Sequence, residues 1–320
     1  MKIVVLDGYT LNPGDNPWDE VAAFGEFTVY DRTPSDLIEE RAAEAEIVLT
    51  NKTPLMAKTL AKLGKLKLIC VLATGYNVVD LERAAAMGVP VVNVPEYGSD
   101  SVAQHALALL LELTNRVGHF DEAVKGGEWS QSRDFTLLKA PITELAGKTL
   151  GIVGLGHIGS RFALVAQALG MKIVAYNPRS RHVAEGLSVE WVTLEELFRR
   201  SNVISLHCPL NEENRGFVNS SLLELLPPHS YILNTARGPL VNEHDLAEAL
   251  NSGALAGAGL DVTAREPIAA DSPLLTAKNC IITPHVAWAS LSARKRLMAI
   301  TAQNVASFLA GKPQNVVNGV

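Results

Sequence analysis

The sequence predicts an α/β protein of two open parallel-sheet domains, one inserted into the other. Three observations carry this. Up to about residue 95, short β-rich runs alternate with helical ones, and a second alternating series begins at Lys148. A glycine turn, Gly154-Leu155-Gly156-His157-Ile158-Gly159, opens that second series in mid-chain. Alternation of this kind argues for parallel sheets wrapped by helices.

In the first series, strands are expected at 2–6, 27–30, 47–49, 68–71 and 89–92, with helical patterns at 37–45 and 79–86. A helix over 101–118 crosses to the second domain. Residues 126–146, containing Trp129, Phe135 and Pro141, are poorly periodic. They read either as a surface loop or as an arm burying its aromatics against a second subunit. Strands of the second series are expected at 149–153, 172–175, 203–206, 231–234, 258–260 and 280–283. That sheet is complete by Thr283, so the last helix, 291–309, should return to the first domain. The expected division is 1–99 with 288–320 as one domain and 100–287 as the other.

The bulk properties narrow the function classes. A chain of 320 residues with 48% hydrophobic content supports sizeable cores, which excludes disorder and small disulfide scaffolds. A net charge of −6 gives no general pull toward nucleic acid or anionic membranes. Cys70, Cys208 and Cys280 have neither metal-site nor disulfide-framework spacing, which fits a reducing cytoplasm. Met1-Lys2 leads straight into Ile3-Val4-Val5-Leu6, more like a core strand than a signal peptide. The most apolar helix, around 106–113, is interrupted by His105 and Glu112 and falls short of the roughly 20 residues of a membrane span. A soluble cytoplasmic protein with no metal, membrane or nucleic-acid partner is expected.

The run Lys148-Thr149-Leu150-Gly151-Ile152-Val153 reads as a buried strand and 160–169 as a helix. Strand, glycine turn and helix N-terminus together present backbone N–H groups and a positive dipole end to a phosphate. Gly154 permits the turn, Gly156 lets a pyrophosphate approach, and Gly159 lets helix and strand pack closely.

In open α/β sheets the ligand lies at the carboxyl ends of the strands. Three consecutive expected strands end in Thr235-Ala236-Arg237-Gly238, in Asp261 followed by Glu266-Pro267, and in Pro284-His285. Arg237 offers a planar fork of donors for a carboxylate and an adjacent carbonyl oxygen. His285 exchanges a proton near neutral pH, and a nearby Glu266 carboxylate would orient its ring and favour its charged form. Beside a nicotinamide, this set would reduce a 2-oxo acid to a 2-hydroxy acid. Taken singly, Arg237 reads equally as a surface arginine, Glu266 as a helix-start carboxylate and His285 as a satisfied histidine.

These residues resemble the D-isomer-specific 2-hydroxyacid dehydrogenases over nearly the whole chain. The matching pieces are the glycine turn, Leu206-His207-Cys208-Pro209-Leu210, Asn234-Thr235-Ala236-Arg237-Gly238, Gly259-Leu260-Asp261-Val262, Glu266-Pro267 and Thr283-Pro284-His285. The resemblance implies a Rossmann dinucleotide-binding domain inserted into a flavodoxin-like substrate domain, with Arg237, Glu266 and His285 catalytic. It places His207, Cys208, Pro209, Thr235, Ala236, Arg237, Asp261 and His285 at the cofactor, together with Gly154, Gly156, His157, Ile158 and Gly159. It implies a homodimer built through the 119–146 arm. It also implies that Ala73-Thr74-Gly75-Tyr76-Asn77 binds the substrate carboxylate through its backbone.

Several segments are similar to the glycerate dehydrogenase or hydroxypyruvate reductase branch: Thr50-Asn51-Lys52-Thr53, 73–80, 97–103 and His285-Val286-Ala287-Trp288-Ala289. Asn51, Lys52, Thr74, Gly75, Arg237, His285 and Trp288 are thus the expected substrate contacts. Trp288 either narrows the pocket toward hydroxypyruvate or glyoxylate or packs in the core where the chain crosses back. Alternatives within the family are a D-lactate or phosphoglycerate dehydrogenase; outside enzymes, the alternative is a dinucleotide-sensing, corepressor-like binding protein.

NAD selectivity usually comes from an Asp or Glu at the end of the second nucleotide-domain strand. Here Lys172-Ile173-Val174-Ala175-Tyr176 ends at Asn177, followed by Pro178-Arg179-Ser180-Arg181. The missing carboxylate and the arginines favour NADP(H), used at least as well as NAD(H), with Asn177, Arg179 and Ser180 at the ribose phosphate. The alternative is a solvated basic loop. His207 is expected to line the nicotinamide ribose region, while His105, His119, His182, His229 and His244 are expected on the surface or in caps.

Overall fold

The computed structural model describes residues 1–178 and 181–320. These form two compact units, Met1–Gly98 with Trp288–Val320, and Ser99–Ala287. No helix among the described residues is long and apolar enough to cross a membrane.

In the first unit, β1 (Lys2–Val5), β2 (Glu26–Val29), β3 (Ile47–Thr50), β4 (Leu68–Val71) and β5 (Val91–Val92) form a sheet ordered β2-β1-β3-β4-β5, with every pairing parallel. This is the flavodoxin-like order. All residues of β3 and β4 are buried. Such strands, covered on both faces, are continuous apolar runs rather than alternating ones. One face packs on the helix Leu291–Leu309 through Leu297, Met298 and Val305.

In the second unit, β6 (Thr149–Val153), β7 (Lys172–Tyr176), β8 (Glu190–Trp191), β9 (Val203–Leu206), β10 (Ser230–Asn234), β11 (Leu255–Leu260) and β12 (Cys280–Ile282) are ordered β12-β11-β10-β9-β6-β7-β8, again all parallel. The chain runs outward from β6 to β8, then restarts on the other side at β9. That reversal is the topological switch point of a Rossmann fold, beyond whose strand ends ligands bind.

The structure differs from expectation in three places. The helix expected over 101–118 is Ser99–Asn115; the chain then breaks at Arg116, which has φ of 53°, and resumes as Val117–Lys125. The Glu112 carboxylate accepts the Gly118 N–H of the new helix, and the Thr143 N–H donates to the Thr114 carbonyl, so one group at each broken end is satisfied. The strand expected at 89–92 is only Val91–Val92, because Pro90 has no N–H for the ladder. Glu190–Trp191 adds an edge strand, too short to show a period, against Val174 and Ala175.

Candidate active site

Gly154, Gly156 and Gly159 serve three different purposes at the switch point. Gly154 has φ of 95°, and a Cβ on it would lie 2.7 Å from Cys208 N and 2.9 Å from the His207 carbonyl carbon. The turn after β6 is thus pressed against the end of β9. A Cβ on Gly159 would lie 2.5 Å from the Gly154 carbonyl oxygen, which fixes helix against strand. Gly156 differs: a Cβ there meets nothing within 4 Å. It caps the helix His157–Ala168 with φ of −95°, which any residue adopts, so its missing side chain leaves open space at a helix N-terminus. That is the cradle a pyrophosphate needs.

The expected cofactor residues Gly154, Gly156, Asn177, His207, Cys208 and Pro209 share one cleft of about 440 Å³. The Thr235 hydroxyl oxygen is buried without a hydrogen-bond partner, a group a bound ligand can satisfy. Arg179 and Ser180 lie outside the described residues. The residues present therefore fit a dinucleotide. Gly156→Ala separates cradle from scaffold. The variant should melt at the parent temperature yet bind NAD(P)H at least about tenfold more weakly, since a methyl displaces phosphate contacts worth over about 1.4 kcal/mol. Titration by nucleotide fluorescence and a melting curve check both halves.

Burial holds His207 neutral, its pKa pushed down to about 4, with Nε2 2.8 Å from the Ser205 hydroxyl and its ring on Phe162. Burial pushes the Cys208 thiol up to about 11, so it stays protonated. Neither group is poised to exchange a proton near neutral pH.

His285 is held by a carboxylate instead. Its Nδ1 lies 2.6 Å from Glu266 Oε2, and the carboxylate can only accept, so Nδ1 carries a proton. Nε2 is left to face a reacting oxygen. Glu266 is itself positioned by the Thr263 N–H at 3.3 Å. The Arg237 turn packs directly on the same loop, because a Cβ on Gly238 would overlap the Thr263 carbonyl group at 1.9 Å. Asn234 holds that turn from within: its Oδ1 accepts the Ala236 N–H at 3.0 Å and its Nδ2 donates to the Arg237 carbonyl at 2.9 Å. Arg237 Nη1 donates to the Ala236 carbonyl at 2.6 Å. Adjacent strands β10, β11 and β12 thus deliver Arg237, Glu266 and His285 to one edge of the sheet.

Asp261, expected at the cofactor, turns its carboxylate to the protein. Both oxygens are taken up by the turn carrying His285, and only 1% of the side chain is exposed. His105 is not the surface or capping residue expected. It is half-buried, with Nε2 2.9 Å from the Thr283 hydroxyl. Its position beside the buried Val102 and Ala106 marks the edge of the buried stripe, the one sequence signal for this role.

In the first unit, the expected substrate residues sit on loops at the carboxyl ends of β3 and β4. Asn51 is buried and donates to the Leu72 carbonyl at 3.0 Å; the Thr74 hydroxyl donates to the Val94 carbonyl at 2.9 Å. Gly75 follows on the same loop. Asp7, which the sequence reading missed, organises the neighbouring loop. Its carboxylate accepts the N–H groups of Asn51, Lys52 and Thr53 at 2.8, 2.6 and 2.7 Å. Leu6-Asp7-Gly8 at the end of the first strand was the available signal. Trp288 packs on the first unit's core, edge-on to Tyr97 at 6.3 Å.

Comparison with known proteins gives the family. The family profile described as D-isomer specific 2-hydroxyacid dehydrogenase, NAD binding domain, matches residues 107–287. The chain belongs to this family. It is 50% identical to a hydroxypyruvate reductase of Blautia hydrogenotrophica, across 99% of this chain and 100% of that protein. It is 40% identical to a glycerate dehydrogenase of Methylorubrum extorquens, across 99% and 98% of the two chains. Among solved structures, an NADPH-dependent glyoxylate/hydroxypyruvate reductase from Sinorhizobium meliloti, in complex with NADP and malonate, superposes with a TM-score of 0.85. That match covers 99% of this chain and 96% of the other at 28% identity. The family resemblance, the fold class and the enzyme class expected from the sequence therefore hold.

Proposed function

We propose that this chain reduces hydroxypyruvate to D-glycerate, or glyoxylate to glycolate, in a reversible reaction that uses a nicotinamide dinucleotide. The observation that carries the reading is the 2.6 Å bond from His285 Nδ1 to Glu266, on the carboxyl edge of the sheet that also carries the glycine turn. The relatives at 50% and 40% identity are enzymes of this substrate class, which favours the reductase over a nucleotide-sensing binding protein.

The residues divide the work as follows. The Arg237 fork binds the substrate carboxylate and the neighbouring carbonyl oxygen, making that carbonyl carbon more electrophilic. Backbone amides of Thr74 and Gly75 bind the same carboxylate, Asn51 and Lys52 are further substrate contacts, and Trp288 limits the length of the acid. The nicotinamide, when bound, supplies the hydride to the carbonyl carbon. His285 Nε2 gives its proton to the carbonyl oxygen, and Glu266 stabilises the charged ring before that transfer and keeps it aligned after it. The glycine turn, Ile158 and the His157 backbone hold the pyrophosphate. His207, Cys208, Pro209, Thr235 and Ala236 line the nicotinamide side.

The cofactor we favour is NADP(H). Asn177 stands at the end of β7 where NAD enzymes place a carboxylate, and it shares a cleft of about 760 Å³ with Arg181 and Trp191. Glu195 and Glu196 line the same cleft. The kcat/KM values for NADPH and NADH, measured on hydroxypyruvate, glyoxylate and pyruvate, test both parts. NADPH should serve at least as well as NADH, with the first two acids ahead of pyruvate. A tenfold preference for NADH overturns the cofactor assignment, and pyruvate as best substrate overturns the substrate assignment.

The 119–146 arm exposes Phe135 at 91% and Leu138 at 85%, apolar area that a second copy of the chain would cover in a homodimer.

A further inference from the structure

The acid–base histidine is held in place by a relay that starts at another histidine. His285 has φ of 55°, a left-handed conformation that non-glycine residues avoid, so its turn must be fixed by its surroundings. Asp261 does this from the end of β11. Its backbone carbonyl accepts the His285 N–H at 2.8 Å. One carboxylate oxygen accepts the Val286 N–H at 2.9 Å and the Thr283 hydroxyl at 2.7 Å, and the other accepts the Ala287 N–H at 2.8 Å.

The direction of these bonds follows from proton count. A carboxylate oxygen only accepts, and the Thr283 hydroxyl has a single proton, which goes to Asp261. The Thr283 oxygen must then accept from its other neighbour, His105 Nε2 at 2.9 Å. His105 therefore carries a proton on Nε2, and that N–H also faces Asp261 Oδ1 at 3.5 Å. A carboxylate exposed by only 1% depends on such donors to stay fixed.

We propose that His105 is a positioning residue for the reduction. From the helix Ser99–Asn115 its Nε2–H fixes the Thr283 hydroxyl, the hydroxyl fixes the Asp261 carboxylate, and the carboxylate fixes the turn that presents His285 to the substrate. Ser99 is the first residue of its compact unit and Ala287 the last. The relay thus joins the unit's first helix to the residue where the chain leaves it. The proposal rests on the reading of His285 as proton donor.

The test compares His105→Phe, which keeps a ring but no donor, His105→Gln, which keeps an N–H donor, Thr283→Val, and the Phe/Val double variant. Each is assayed for kcat and KM on the 2-oxo acid the parent reduces fastest, alongside a melting curve and cofactor affinity. His105→Phe and Thr283→Val should each lower kcat about tenfold, as a slightly misplaced catalytic group does, with KM and cofactor affinity little changed. The double variant should be no slower than either single one, because both break the same relay. His105→Gln should recover most of the lost rate. A folded His105→Phe with parental kcat overturns the relay, as do losses that multiply in the double variant. Should His105→Phe fail to fold, Thr283→Val decides alone: parental kcat there overturns the proposal. A parent protein that reduces none of the 2-oxo acids overturns the His285 reading itself, which the variants would not have done.

Discussion

Replacing His285 by alanine is expected to lower kcat for hydroxypyruvate reduction by about 10³-fold, the middle of the range for a positioned general acid. Glu266 occupies Nδ1, so Nε2 is the ring atom available to protonate the developing alkoxide. Without it the proton must come from water, whose pKa is poorly matched to the task. Cofactor affinity should stay near the parental value, because the glycine turn belongs to a different strand end. The left-handed backbone at 285 requires a second variant. His285→Asn tolerates that conformation but offers no exchangeable acid proton, so it should show the same loss with a parental melting curve. Near-parental reduction by either variant contradicts the assigned role.

Arg237→Ala is the second large effect, an expected loss of about 10² to 10³-fold in kcat/KM, the scale of truncating one partner of a buried, hydrogen-bonded charge pair. The backbone of this turn is held by Asn234 and by the Gly238–Thr263 contact rather than by the guanidinium, so the variant should fold. Arg237→Lys should recover little of the loss. An ammonium replaces the charge but not the fork that holds carboxylate and carbonyl oxygen at once. Steady-state kinetics with both variants would contradict the assignment if lysine restored the parental value.

Long-range organisation was legible in the sequence because it rests on strong local signals. Buried parallel strands such as Leu68–Val71 read as apolar runs, and polar residues follow the strand ends, directly at His207 and after two apolar residues at Thr74. The glycine turn and the His285–Glu266 pair followed from reading those ends. What escaped was set by contacts between distant residues. The break at Arg116 depends on the Glu112 carboxylate and on Thr143, neither visible in the helical period. His105 looked like a polar interruption of an apolar helix, and the role proposed for it depends on Thr283, 178 residues later, folding against it. Asp7 is marked as a strand-end polar residue by Leu6-Asp7-Gly8, but its three amide partners beyond β3 are set by a contact more than 40 residues away. Asp261 was found, but the direction of its carboxylate was not.

In the proposed reaction a proton from His285 and a hydride meet at one carbonyl group of a short 2-oxo acid, giving D stereochemistry with hydroxypyruvate. The most direct measurement is to incubate the purified protein with hydroxypyruvate and excess NADPH and to resolve the product on a chiral column. Stoichiometric oxidation of NADPH with D-glycerate as the sole enantiomer is the predicted result. L-glycerate, a racemate, or no oxidation of either NADPH or NADH would contradict it.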